Sequence, residues 1–200
     1  MSNIHGSALT MVEWRPSDYK KIIERLEKIA GKRMVIRKAI ELAAKRAADT
    51  GVTMTKRGIA ADTTLKSSEI GKRVKAYKYG SPLGMSIGMK ISDTARPLSE
   101  FSFSPKKPKK GVPPTVEVYK GTKTTFDKGA FIADVSAGEG THTGIFERVG
   151  DERLPITTLY GPSVTGIFKA NENVHTVVWN AMFETFEKRV EHELERLLDA

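Results

Sequence analysis

The stretch from Gly129 to Val164 reads GAFIADVSAGEGTHTGIFERVGDERLPITTLYGPSV. Apolar residues that alternate with polar ones, separated by glycine-bearing and charged turns, predict three strands in succession. Gly161-Pro162-Ser163 then begins a helix, since proline suits the first helical turn and serine accepts hydrogen bonds from free backbone N–H groups. Two arginines, Arg148 and Arg153, flank the second turn. No catalytic grouping accompanies them, and we interpret the stretch as an assembly element.

The clearest strand pattern lies upstream, where Met85, Ile87, Met89 and Ile91 alternate with small or polar residues. A period of two is expected for a strand with one buried face. Pro155 cannot donate to a ladder, so its strand should lie at a sheet edge or carry a bulge. The remaining predicted strands cover residues 98–103, 115–120, 131–135, 145–149 and 154–157.

Apolar residues at helical spacing occupy both ends of the chain. From Pro16 they predict one long helix, or two hinged at Gly31-Lys32, with Gly51 as the C-terminal cap. The alanine-rich second half suits either an ordinary core helix or a helix contact between subunits. A short helix is expected over residues 67–74, capped by Ser67 or Ser68, and a long one over residues 173–198.

This order of elements predicts the α+β class, with one antiparallel sheet of about five to six strands and the long N- and C-terminal helices packed on one face. We expect a flexible N-terminal arm over residues 1–16 and a single α+β domain over residues 17–200. Residues 104–114 form a basic loop within that domain.

The composition excludes several classes of protein. The chain has 200 residues, a net charge of +9 and no cysteine. Disulfides, thiolate nucleophiles and cysteine-ligated metals are therefore ruled out. No apolar run approaches the roughly 20 residues that span a bilayer, and the N-terminus lacks the pattern of a secretory signal. The positive charge favours a polyanionic partner or serves solubility alone.

The charge is unevenly distributed. Residues 15–57 carry thirteen Lys and Arg against five Asp and Glu, whereas residues 184–199 carry six acidic residues against three basic ones. A basic N-terminal helix and an acidic C-terminal helix can attract each other within or between subunits.

Motifs for catalysis and metal binding are missing from the sequence. The four histidines are dispersed, and His192-Glu193 lacks the second histidine of a zinc-protease helix, because Arg196 stands in its place. Neither a nucleophile elbow nor a phosphate-binding loop occurs. We expect no enzyme activity, no metal and no cofactor.

The loop over residues 105–114 combines prolines with four lysines, Lys106, Lys107, Lys109 and Lys110. Proline favours an extended, non-helical loop. The loop is either a solvated hairpin connection or an electrostatic arm for nucleic-acid phosphates or an acidic partner. Contacts of the second kind read charge and not base sequence.

Three motifs resemble the phage minor tail protein Z family, the tail completion proteins of lambda-like siphophages. They are A-F-I-A, I-F-E-R-V-G and R-L-P-I-x-x-L-x-G-P-S-V. Their flanks agree, with R-P-L-S-E-F at residues 96–101 and a closing helix that ends E-H-E-L-E-R-L-L. The similarity covers most of residues 30–198. The matched residues include Phe131, Phe146, Arg148, Arg153, Leu154, Pro155, Gly161, Pro162 and Ser163.

The resemblance implies a non-enzymatic virion protein that acts late in tail assembly, at the head-proximal end of the tail where DNA enters the tube. It implies a homo-oligomeric ring, expected to be hexameric, beside the tail terminator, tail tube and head connector. It also implies no membrane and a location in the host cytoplasm during assembly. Sequence-nonspecific contact with phage DNA is one of the two roles that the lysines of the basic loop leave open. Without the resemblance, the residues support only a basic α+β assembly domain or nucleic-acid-binding domain.

We expect the matched residues to serve as fold signature or subunit interface. Arg148 and Arg153 would anchor the sheet to a carboxylate within or between subunits, because a guanidinium binds carboxylates in two-point geometry. The loop lysines would face DNA or an acidic neighbouring ring. The competing interpretation is a free nucleic-acid-binding module, whose affinity falls steeply with salt and requires no oligomer.

Overall fold

Two long helices, α1 (Arg33–Asp62) and α4 (Glu172–Leu198), pack against each other and form the centre of the fold. They belong to a computed structural model that describes residues 8–14, 33–81, 84–126, 129–137, 140–150 and 152–198. Two short helices, α2 (Ser67–Arg73) and α3 (Val164–Ala170), and several small antiparallel sheets surround the pair. The α+β class is confirmed.

Small residues bring α1 and α4 close together. A Cβ atom on Gly51 would lie 2.4 Å from the Met182 sulfur, and one on Gly58 would lie 2.8 Å from Val174 Cγ1. The alanine-rich half of α1 is buried, with Ala39, Ala43, Ala44, Ala47 and Ala48 all in the core. Of the two interpretations of these alanines, the ordinary core helix is therefore correct for the described chain.

The predicted end of this helix at Gly51 is wrong. The helix continues to Asp62, and the described residues with positive φ are Gly111, Gly121 and Gly150. Gly51 is required for close approach to α4 and not for a left-handed cap. The predicted hinge at Gly31-Lys32 lies outside the described residues. Among the described residues no ion pair joins α1 to α4, and the side chains packed between them include apolar Met182 and Val174.

The first sheet has the strand order β1-β3-β2, formed by β1 (Ala8–Trp14), β2 (Val74–Ser81) and β3 (Gly84–Asp93). Strand β3 confirms the alternating pattern, since Ile87, Met89 and Ile91 are buried. Strand β2 was not predicted. Strand β1 falls within the predicted N-terminal arm, where it pairs with β3, and the division of the chain into arm and domain stays a prediction.

The remaining strands form three further sheets instead of joining a single one of five or six strands. Leu98–Phe103, predicted as a strand, is a 3-10 turn over Leu98–Glu100 followed by a short strand. The three sheets are β4 (Arg96–Pro97) with β11 (Tyr160–Gly161); β5 (Ser102–Ser104), β6 (Thr115–Glu117) and β7 (Lys123–Thr125); and β8 (Ala130–Ala137), β9 (Gly140–Arg148) and β10 (Ile156–Thr158).

The helix starts differ in part from those predicted. Helix α2 begins as expected, but its N-cap is Lys66 and no side chain caps it, so the predicted serine cap is wrong. Ser163 is the N-cap of α3 and accepts a hydrogen bond from the Gly166 N–H at 3.0 Å. Pro162 therefore lies just before the cap and not in the first turn. The C-terminal helix begins within one residue of its predicted start.

Candidate assembly surface

The outer face of the β8–β9 pair carries an aromatic cluster topped by an arginine. Phe131 and Phe146 are direct cross-strand partners with ring centroids 6.2 Å apart. The Phe146 ring folds over Gly144, where a Cβ would lie 2.6 Å from its Cζ. The Arg148 guanidinium lies 5.1 Å from the Phe131 ring centre, within the range of a cation–π contact. Three predicted signature residues thus meet on one surface.

The turn between β9 and β10 projects apolar and basic side chains outward. It is closed by a hydrogen bond from the Val149 N–H to the Pro155 carbonyl at 3.0 Å. Arg148 Nη1 donates to the Arg153 carbonyl at 3.0 Å, so it braces the turn through its backbone. Val149 is 57% exposed and Leu154 66% exposed.

No described carboxylate lies within ion-pair distance of Arg148 or Arg153. An anchoring carboxylate in a neighbouring subunit stays a prediction for both arginines. Pro155 precedes β10, which forms one edge of its sheet, as expected for a residue that cannot donate to a ladder.

The basic loop between β5 and β6 is exposed, and its lysines differ in their surroundings. Lys106 Nζ lies 4.1 Å above the Phe103 ring, whereas Lys107 points into solvent. Lys109 and Lys110 line a cleft of about 720 Å³ together with Arg148. Apolar residues complete its lining, namely Ala130, Phe131, Ile132, Val112 and prolines of the loop. The structure therefore joins the loop to the arginine of the signature, which the sequence pattern had left apart.

The second group of signature residues, Gly161-Pro162-Ser163, packs against residues 96–101 of the flanking motif. Strand β11 pairs Gly161 with Arg96, and Leu98 N–H donates to the Leu159 carbonyl at 2.9 Å. A Cβ on Gly161 would lie 3.0 Å from both Leu98 Cδ2 and Phe101 Cε2. This contact explains why glycine stands at that position, and it makes this motif a fold element.

A buried ionic cluster lies where residues 96–101 meet Gly161-Pro162-Ser163, a contact that we call the junction. Arg96 is 3% exposed and its Nη1 donates to Asp93 Oδ2 at 3.2 Å, while its Nη2 donates to Glu100. Asp93 Oδ2 also accepts from the Val164 N–H at 3.0 Å, at the start of α3. Asp93 therefore joins the end of β3 to both β4 and α3.

The pKa values of two residues are shifted by the charges around Arg96. They are Arg96 itself and Glu69, whose Oε2 lies 3.5 Å from Arg96 Nη2. Burial alone would lower the pKa of Arg96, but the hydrogen bond to Glu100 and the charge of Asp93 raise it overall. The hydrogen bond from Lys72 lowers the pKa of Glu69, with further help from the charges of Lys72 and Arg96. Both shifts favour the charged forms of Arg96 and Glu69.

Sequence reasoning did not single out Asp93, although one signal was available. Asp93 continues the buried phase of β3 set by Met89 and Ile91. A carboxylate in an apolar phase requires a buried partner, because an unpaired buried charge is costly. The partner, Arg96, follows three residues later, at the start of the R-P-L-S-E-F motif.

The described residues hold no group of three metal-ligating side chains. The 720 Å³ cleft, and a second cleft of about 660 Å³ beside Tyr119 and Asn171, are lined by no Ser, Thr or His. None of the described helices is both long and apolar enough to span a bilayer.

The described chain thus combines a buried ionic cluster with an exposed turn that carries apolar and basic side chains. Residues 19–200 match the family described as prophage minor tail protein Z (GPZ), and the chain belongs to that family. The family comprises structural proteins of phage tails, which implies a non-enzymatic role, a place in the virion and contact with other tail proteins. No curated protein and no solved structure matches the chain significantly.

Proposed function

We propose that this chain is a tail completion protein that assembles as a ring at the head-proximal end of a siphophage tail. In that position it helps tail maturation, the joining of head and tail, and the positioning of DNA. Its neighbours there are the tail terminator, the tail tube and the head connector. Membership of the minor tail protein Z family supports the tail location, and the resemblance of the motifs supports the position in the tail.

The observation that carries the assembly role is the exposed turn between β9 and β10. Val149 and Leu154 together with Arg153 form a small apolar and cationic tip that the described chain leaves uncovered. Large apolar side chains at the end of a braced turn fit a pocket on a partner, and arginine is enriched at the energetic centres of interfaces. Arg148 holds the tip through the Arg153 carbonyl, so the tip is shaped before it docks.

The exposed lysines of residues 106–110 supply the electrostatic part of the proposal. Their side chains are available to DNA phosphates or to an acidic neighbouring ring. If these lysines contact DNA, charge reversal at Lys106 and Lys107 should reduce the retention of DNA in particles. Retention that is unaffected by the reversal would remove DNA from the role of these two residues.

Substitution of Arg153 tests the assembly role in a phage whose own copy of the gene is deleted and supplied in trans. Arg153→Ala should lower the yield of infectious particles, since truncation of a central interface arginine costs about 2 kcal/mol or more. That loss corresponds to about thirtyfold in affinity. Glu152→Ala, an exposed substitution in the same turn, serves as the control and should leave the titre unchanged. Full infectivity of Arg153→Ala would remove the turn from the proposal.

A further inference from the structure

Helix α4 carries a row of glutamates on the face opposite its buried side. Glu184, Glu187, Glu191 and Glu195 are all exposed, and their spacing of three, four and four residues places them on one helix face. At about 1.5 Å of rise per residue the row is about 16 Å long. We call these four glutamates the acidic row.

The acidic row forms no ion pair in the described chain, and exposed Lys188, which lies on the same face between Glu187 and Glu191, leaves the face a net charge of −3. The ion pair found on α4 joins Arg196 to Glu193, which lies off the row. The cleft between the basic loop and β8–β9 is in the opposite situation, because Lys109, Lys110 and Arg148 face no described carboxylate. One chain therefore presents two surfaces of opposite net charge, and no described ion pair joins them.

The cleft favours an acidic protein surface over nucleic acid. The apolar part of its lining offers nothing to a phosphodiester, whereas a protein surface can place carboxylates against the lysines and cover the apolar residues as well. A base has little access to the Phe131 ring, since Arg148 lies over that ring and Phe146 packs beside it. Stacking, which supplies sequence-tolerant binding of single strands, is thereby hindered.

We infer that the acidic row of one copy binds the Lys109–Lys110–Arg148 cleft of the next copy through Glu191 and Glu195. Such a contact is heterologous, because two different surfaces of the chain meet, and heterologous contacts close into rings when the rotation between copies permits. The inference rests on the ring of the proposed function. It assigns Lys109 and Lys110 to contact with an acidic protein partner and not with DNA.

Charge reversal tests the contact with purified protein. Lys109→Glu/Lys110→Glu and Glu191→Lys/Glu195→Lys should each weaken association of subunits by about tenfold, measured by mass photometry at low and high salt. An equimolar mixture of the two variants should recover assembly, since each supplies the surface that the other has inverted. The chain with all four substitutions should recover it alone. Recovery in neither case would overturn the contact.

Disulfide trapping tests the contact in assembled tails and does not depend on rings forming in solution. The chain has no cysteine of its own, so the pair Lys110→Cys/Glu191→Cys introduces the two reacting thiols. Non-reducing gels of oxidised particles should show a ladder of covalent multimers. The matched control is Lys123→Cys/Glu191→Cys, whose lysine lies on exposed β7 outside the cleft and should give monomer.

The outcomes separate this contact from the function on which it rests. Particles that contain the protein and give no ladder would overturn the contact and leave the tail role intact. A cross-link from Lys110→Cys to a different tail protein would assign the cleft to that partner and overturn the self-contact. Absence of the protein from particles would contradict the tail role itself. Loss of DNA binding in Lys109→Glu/Lys110→Glu without any loss of association would assign the cleft to nucleic acid and also overturn the self-contact.

Discussion

Gly161 lies so close to Phe101 that a Cβ atom on the glycine would be 3.0 Å from Phe101 Cε2. The two residues belong to motifs about sixty positions apart, and β4 and β11 bring them together. Phe101 and the neighbouring Leu98 are buried, so neither side chain can swing into solvent. This contact holds the 3-10 turn that follows β4 against β11, the strand that leads into α3.

Gly161→Ala should destabilise the protein because the added methyl group meets buried side chains on both sides. Overpacking of this kind costs about 1–3 kcal/mol. Urea denaturation followed by circular dichroism measures the change in the free energy of unfolding. Gly140→Ala is the matched control, since a Cβ there meets nothing within 4 Å. Equal stability of the two variants would show that the junction relaxes without cost.

Asp93→Asn should destabilise the protein by about 2 kcal/mol, because it removes one of the carboxylate charges that compensate buried Arg96 while Glu100 keeps another. The amide keeps an oxygen for the Val164 N–H, so the loss reports mainly on the ion pair. A double-mutant cycle with Arg96→Met isolates their coupling in equilibrium unfolding. Additive effects of the two substitutions would mean that the pair does not stabilise the junction.

Gly51→Ala should destabilise the protein although alanine favours a helix by about 1 kcal/mol over glycine. The methyl group would lie 2.4 Å from the sulfur of Met182, which is fully buried. In a Met182→Ala background the same substitution should become neutral or stabilising, because the obstacle is gone and the helical preference remains. Thermal unfolding of the four proteins measures this reversal of sign. Gly71→Ala, where the nearest neighbour is the flexible end of Lys56, is the control.

The stability supplied by Glu69 should depend on pH. The hydrogen bond from Lys72 lowers the pKa of Glu69 in the folded protein below its unfolded value. The contribution is therefore complete above the unfolded pKa of about 4.3 and is lost as the pH falls through the folded pKa. The difference in unfolding free energy between wild type and Glu69→Gln should be constant from pH 7 to pH 6 and shrink in acid. A difference that grows in acid would contradict the assignment. Lys72→Met should reduce the difference between pH 6 and pH 7, where Glu69 is ionised in both the folded and the unfolded state.

Periodicity predicted the elements whose side chains alternate or repeat without interruption. Strand β3 and helix α4 are of this kind, because one face of each is continuously buried. Gly51 was misassigned for a physical reason, since a glycine that permits close helix packing and a glycine that caps a helix look the same in one sequence. Strand β2 was missed because polar residues lie on both of its faces, with Lys75 and Lys78 exposed, so no apolar alternation marks it.

The candidate surface was predictable in its residues and not in its geometry. The motifs named Phe131, Phe146 and Arg148, and the structure places all three together. The link from Arg148 to the lysine loop depends on how β5–β6 packs beside β8, which no local pattern records. The sequence shows that Asp93 falls on the buried face of β3 with Met89 and Ile91. Only the fold shows that Arg96 is its partner.

Electron cryomicroscopy of purified virions that carry an epitope-labelled copy of this chain tests the ring most directly. The account predicts several copies arranged around the tail axis at the head-proximal end, and the label should mark that end in every particle. A single copy, a location at the distal tip, or absence of the label from infectious particles would contradict it.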